Sequence, residues 1–532
     1  MNNDLSTEKR IILAIVISMG FLFAYPYIVK WINPPAPIAV VATADKAPEA
    51  VTAPDKMATG KIDAKSISVK PSVKPVLTTV ETPLWKAVFS SNGGAVNSWQ
   101  LKKYDATQEP GSASINLTDS VITKGSFGTS IKYENSAEDI LFSSSAADIQ
   151  LSGPDTKDLV FTGKTASGVV VEKRYRFNGA SYLSELQVTV TNQARDNFSA
   201  KAVTTLVTGK VGKDDTGYHS GPLVSVKNKV IRPDDDDKDE SGESAPQWIG
   251  MEDKYFLAAV IPSQKAPLNW KTHTAGTTKG VVAVESPLSI APGASASFNY
   301  GIFAGPKEYD LLLAQKNGIE EAIEFGMFAF MAKPSLVVLN FFKRYLVNYG
   351  IAIILFTVIL KIVFYPLTKH SLMSMRDMAK IQPQLVFLKE KYKNDKAQLN
   401  KEMMDLYKRY KINPVGGCLP MLLQIPVFIA LYEVLYVAIE LRHAPFALWI
   451  QDLAAHDPYY ITPLVMGATM FIQQKMTPST ADPMQAKIMM FMPIVFTFMF
   501  LKFPAGLVIY WLVNNVLSIA QQYWIQKIPA KA

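Results

Sequence analysis

Residues 351–366 read IAIILFTVILKIVFYP, apolar or aromatic but for Thr357 and Lys361 until Pro366 closes the run. That texture is a membrane span, and a charge inside one costs about 3 kcal/mol or more. The purpose of Lys361 therefore decides what kind of membrane protein this is. Pro366 lies five residues further on, roughly 7 Å at 1.5 Å per residue, so the lysine stem is able to snorkel to the headgroups. Its helical neighbours favour another reading. Thr357, Tyr365 and Thr368 share its face, a polar stripe for which a lipid-facing helix has no use.

Further apolar runs follow at 417–438, 460–475, 488–503 and 507–525, and Ile11–Val29 makes an earlier one. With 345–366 this predicts six transmembrane helices, an N-terminal anchor plus a five-helix core, and so both termini on one side. The loop 367–415 carries eleven Lys and Arg, whereas 439–459 has only Arg442 against Glu440, Asp452 and Asp457. By the positive-inside rule the first loop and both termini are cytoplasmic. Lys343 and Arg344 run mildly against it.

Within the basic loop Leu385, Leu388 and Tyr392 recur at helical spacing, and after Asn394-Asp395 so do Leu399, Met403, Leu406 and Tyr410. An antiparallel helical hairpin with one apolar seam and a basic exterior is expected over 367–415, serving either as a connector or as a docking surface.

The last span repeats the polar stripe. Tyr510, Asn514, Ser518 and Gln522 stand four apart, with Asn515 and Gln521 beside them. Lipid satisfies none of these amides, so they must face protein or water. Two striped helices running toward the cytoplasm predict a hydrated groove open on that side. Glu433, the carboxylate within a span, belongs nearer the outer end of its helix. Met466, Met470, Met489, Met490, Met492 and Met499 crowd the fourth and fifth spans, as an adaptable apolar surface or as plain filler.

Upstream, Lys9 and Arg10 precede Ile11–Val29 with no small-residue cleavage site close behind, which favours an uncleaved anchor over 1–32. Residues 33–81 read as an extended linker rich in Pro, Ala, Val, Thr and Lys. From 82 to 318, alternating runs such as GVVVEKRYRF and SYLSELQVTVTN predict a large periplasmic antiparallel β-sandwich. Its acidic run DDDDKDE at 234–240 is expected to be a solvated loop. Ile319, Ile323, Met327 and Phe330 then predict an amphipathic connecting helix over 319–344, ahead of the core at 345–527 and a short tail at 528–532.

The composition also excludes. One cysteine permits no internal disulfide, and five scattered histidines argue against zinc clusters. Of the net charge of +8, residues 341–532 hold 20 Lys and Arg against 10 Asp and Glu. A basic excess placed beside apolar runs suits membrane topology and anionic partners rather than a nucleic-acid substrate. No phosphate loop, nucleophile elbow or HExxH motif occurs, so neither an enzyme nor a cofactor is expected. Cys418 reads as a packed thiol.

The stretches NPVGGCLPMLLQIPVFIALY (413–432), APFALWIQDLAAHDPYYITPLVMG (444–467) and DPMQAKIMMFMPIVFTFMFLKFPAGLVIYW (482–511) resemble the core of the YidC membrane protein insertases, in their Gram-negative form. The resemblance implies an inner-membrane insertase and chaperone for nascent membrane proteins, acting alone or with the Sec translocon. It implies one positive charge in the groove, an arginine in much of the family and Lys361 here, and substrate contacts at Thr357, Phe428, Met466, Met499 and Trp511. It also implies a β-supersandwich of sugar-mutarotase likeness, which says nothing of sugar chemistry. The hairpin would meet the ribosome, the signal recognition particle receptor or lipid. Two rival readings are a secondary transporter using Lys361 and Glu433, and a periplasmic sugar-binding module on a membrane anchor.

Overall fold

A computed structural model describes residues 75–133, 137–146, 148–213, 217–233, 239–263, 268–275, 279–410, 419–477 and 483–527. The expected anchor 1–32, most of the linker, the acidic run at 234–238, Cys418 and the tail 528–532 lie outside the described residues.

The first strand is Leu77–Glu81, so strand structure begins inside the stretch read as linker. Through Pro306 the chain builds sheets of five, ten and six strands. Pairing is antiparallel except where Thr79–Glu81 runs parallel to Asp148–Gln150, a departure from the wholly antiparallel expectation. The period of two orders the interior. In strand Val169–Asn178, Val169, Val171, Lys173, Tyr175 and Phe177 are buried, while Arg174 and Arg176 point outward to Asp158. The inward set joins Trp85, Trp99, Phe89 and Phe161, with Trp85 and Trp99 stacked at 4.6 Å.

Lys173 is the exception that alternation carries inside. Its Nζ donates to the carbonyls of Gly93 (3.1 Å), Gly94 (2.9 Å) and Phe127 (2.7 Å), using all three ammonium donors.

The expected helix over 319–344 is not continuous. Ile319–Ala322 is a single 3₁₀ turn ending at an extended Ile323, and Gly326 takes positive φ, which interrupts any helix there. Ile319 and Ile323 are therefore buried while Met327 and Phe330 are exposed, and the four share no face. Helix α1 spans Ala329–Leu346. Asn348 caps α2 (Tyr349–Val363), its Oδ1 accepting from Ile351 N at 3.1 Å. The chain breaks at Phe364, and α3 (Tyr365–Lys391) leaves at 65°. Pro366 causes this, having no N–H to give and a ring that clashes with the carbonyl four residues back.

Helix α3 runs into the hairpin and is followed by α4 (Lys396–Arg409). Ile381, Leu385 and Leu406 are buried between them, with Leu388, Met403 and Tyr407 alongside. Tyr410, expected in the seam, is 47% exposed and lies outside the buried cluster, although its hydroxyl accepts from Gln384 Nε2 at 2.9 Å. The remaining helices are α5 (Leu419–Val437), α6 (Ile461–Met476), α7 (Pro483–Phe500) and α8 (Ala505–Lys527). Among the described residues no single helix is long and apolar enough to cross a membrane, but α2 and α3 pass that test as a bent pair. Ile362, Leu464, Phe491 and Phe498 are more than half exposed on these helices.

The strand-rich and helical parts meet through polar contacts. Arg442 Nη2 donates to the carbonyls of Asp105 (2.8 Å) and Ala106 (3.1 Å), and Gln108 Nε2 donates to Gln451 O at 2.7 Å. Lys254 Nζ lies 3.9 Å from the centre of the Tyr436 ring.

Candidate functional site

Helices α2 and α8 bring the two striped faces together. Lys361 Nζ donates to Ser518 Oγ at 2.7 Å, and Ser518 Oγ donates to Asn514 O, one turn back, at 2.7 Å. Beside this pair a cleft of ≈ 410 Å³ is lined by Leu360, Lys361, Phe364, Leu367, Thr368, Gln424, Val427, Tyr510 and Asn514. Its wall is thus one cation and several neutral polar groups set among apolar side chains. Among the described residues no carboxylate pairs with Lys361, whose ammonium lies against α8.

The stripes divide once packed. Thr368, beyond the break, still reaches the cleft, its Oγ1 accepting from Gln521 Nε2 at 2.7 Å. Thr357 is buried and bonds to Ile353 O at 2.7 Å within its own helix, so it does not face the cleft. Tyr365 lies past the bend with its ring 6.5 Å from Trp524. Asn515 donates to Thr469 Oγ1 (3.3 Å) and Gln522 to Met476 O (2.8 Å), so both fasten α8 to α6 instead of facing the cavity.

The expected apolar contacts also separate. Phe428 meets Trp511 edge-on at 4.6 Å, and Trp511 lies near Phe496 and Phe500. Met499 packs half-buried against this core. Met466 is fully buried. Gln424, against Tyr510, is a cleft residue that sequence reasoning missed. The signal was present, since a lone amide in PMLLQIPVFIAL cannot be satisfied by lipid. Glu433 lies beside Gly326 at the other end of its helix and is not paired with Lys361. Among the described residues no group of three or more His, Cys, Asp or Glu is placed to hold a metal.

Two family models match the chain, "YidC periplasmic domain" over residues 77–338 and "60Kd inner membrane protein" over 341–531. The chain belongs to the YidC family. It is similar to "Membrane protein insertase YidC" of Geobacter metallireducens, 44% identical over 99% of both chains. The protein of that description from Syntrophus aciditrophicus is 42% identical, over 98% of this chain and 99% of its own. An active YidC insertase crystal structure is 17% identical with a TM-score of 0.37, covering 85% of this chain and 93% of that one. The two YidC-family matches meet inside α1, so that the sheets fall in the first and the cleft wholly in the second.

Proposed function

We propose that this chain inserts, folds and helps assemble proteins of the bacterial inner membrane, alone on small substrates and with the Sec translocon on larger ones. The observation that carries this reading is the Lys361 ammonium, held at the wall of a half-polar cleft with no carboxylate partner among the described residues. Six spans place both termini in the cytoplasm and residues 33–344 in the periplasm. The charge contrast between loops 367–415 and 439–459 supports that topology. So do the uncovered side chains of Ile362, Leu464, Phe491 and Phe498, which suit lipid.

Burying an apolar helix in the bilayer is downhill, and the barrier is moving its polar tail through hydrocarbon. The tail waits in the cleft near Lys361 while the hydrophobic helix passes along the apolar surfaces of α5 and α7. The membrane potential contributes about 2.3 kcal/mol per charge per 100 mV, so no ATP is required. The basic hairpin is the docking surface for the ribosome and the signal recognition particle receptor, and lipid headgroups lie within its reach.

The deciding experiment is depletion of the protein followed by protease mapping of a single-span substrate with an acidic N-terminal tail. The tail should stay on the cytoplasmic side, and normal translocation would overturn the assignment. Lys361→Glu should selectively impair the same substrate.

A further inference from the structure

Ser518 does more than contribute polarity to a helix face. Its hydroxyl has one proton, and Asn514 O at 2.7 Å takes it, because a carbonyl oxygen only accepts. Toward Lys361 the same oxygen must therefore act as acceptor, at 2.7 Å. One of the three ammonium N–H donors is thereby fixed, and among the described residues Lys361 makes no other hydrogen bond or ion pair.

The alternative place for that ammonium is close by. Ile362 and Val363, next in the chain, are 67% and 61% exposed, so protein leaves the helix surface beside Lys361 uncovered. A released four-carbon stem has a path along that surface to the headgroups, where hydration favours it. The Ser518 bond opposes this.

We propose that Ser518 is a positioning residue, which holds the Lys361 ammonium on the cleft wall so that its two remaining N–H donors form a seat for one carboxylate of an acidic segment entering from the cytoplasm. This rests on the insertase reading above. Asn514 takes part through its backbone carbonyl, which orients the serine. Lysine as a point charge suits a seat for a single carboxylate without the fork geometry that a guanidinium demands.

The test uses the full-length protein in native membranes, with Ser518→Ala and Ser518→Thr. Alanine is favourable in a helix interior and threonine keeps the hydroxyl, so both variants should accumulate normally. Two single-span substrates are compared, identical except for acidic or uncharged tails. Ser518→Ala should lower insertion of the acidic-tailed substrate about tenfold, the scale of one charge-assisted hydrogen bond. The uncharged one should insert at the parental rate, and Ser518→Thr should restore the acidic preference. A water-soluble amine reagent, followed by peptide mapping, should label Lys361 faster in Ser518→Ala.

An unchanged acidic preference in Ser518→Ala, with Lys361→Glu still defective, would overturn the positioning role and leave the insertase reading standing. Equal loss for both substrates would reduce Ser518 to a packing residue and likewise overturn it. Normal insertion after depletion of the whole protein would remove the parent reading instead.

Discussion

Gln521 Nε2 donates to Thr368 Oγ1 at 2.7 Å, tying the last helix to the chain just beyond the 65° bend. The threonine hydroxyl in turn donates to Phe364 O or Tyr365 O, at 3.0 and 3.1 Å, the carbonyls at the bend itself. A side chain of the last helix thus braces the proline break beside the cleft. Gln521→Leu keeps the bulk and deletes the donor, at a cost of about 1 kcal/mol. Amide exchange over residues 365–371 should quicken about fivefold in that variant, while exchange in α1 stays unchanged. Equal protection in the two proteins would mean that Pro366 alone sets the bend.

Much of this architecture is legible because lipid and water impose different demands. Polar side chains repeating every fourth residue in the last helix call for protein or water rather than hydrocarbon, and Asn514 and Ser518 do reach the cleft side. Periodicity names a face without naming its neighbour, however. Asn515, one step around the helix, and Gln522, on the stripe itself, meet α6 instead. The connector misleads for another reason, because glycine at 326 admits positive φ and breaks a helix whose apolar spacing is otherwise convincing. Lys173 shows two local rules in conflict. Alternation points it inward, chemistry points it outward, and alternation prevails because three carbonyls stand ready to accept.

The junction between sheets and helices should respond to pH through Glu440. Its Oε1 accepts from Tyr309 N at 3.3 Å, between Glu308 and Asp310, and its Oε2 is buried without a partner. Around it, Tyr104 bonds to Glu308, Arg344 reaches Asp310 at 3.5 Å, and Tyr349 bonds to Asn340 at 3.2 Å. Burial pushes Glu440 up to about 7 from 4.5, and the charges of Glu308 and Asp310 add to the rise. A carboxyl raised by docking favours the docked state when protonated. Its contribution is complete below about pH 4.5 and is lost as pH rises through about 7. Amide protection of Tyr309–Ala314, corrected for intrinsic exchange, should therefore fall between pH 6 and pH 8.5. Glu440→Gln should hold it high at both values, and a parental profile in that variant would exclude Glu440 as the titrating group.

Lys173 and Tyr175 should prove strongly coupled. Tyr175 Oη, with its one proton, donates to Gly94 O (2.9 Å) or Phe127 O (3.2 Å), two of the carbonyls that Lys173 also serves. Lys173→Met alone removes a buried charge and leaves Gly94 O and Phe127 O to share the one Tyr175 proton, so its cost should be modest, about 1–2 kcal/mol. Combined with Tyr175→Phe it strands both. The pair should lose about 1–3 kcal/mol more than the sum of the single changes, read from urea unfolding of the strand-rich part in the full-length protein. Additive behaviour would mean that water or backbone movement satisfies those carbonyls.

The hairpin offers the sharpest separation of local from global stability. Ile381, Leu385 and Leu406 are the residues buried between α3 and α4, with Leu388, Met403 and Tyr407 packed around them. Leu406→Ala should cost about 2–3 kcal/mol through lost burial and the cavity left behind. A two-helix element with so few buried side chains has little more than that to lose. Limited trypsin digestion should then cut rapidly between Lys389 and Lys408 while the sheets and the cleft helices stay intact. Met404, 51% exposed on the opposite face of the same helix, supplies the control, since Met404→Ala should leave the digestion pattern unchanged. Rapid cleavage in both variants, or in neither, would show that something other than this seam holds the hairpin together.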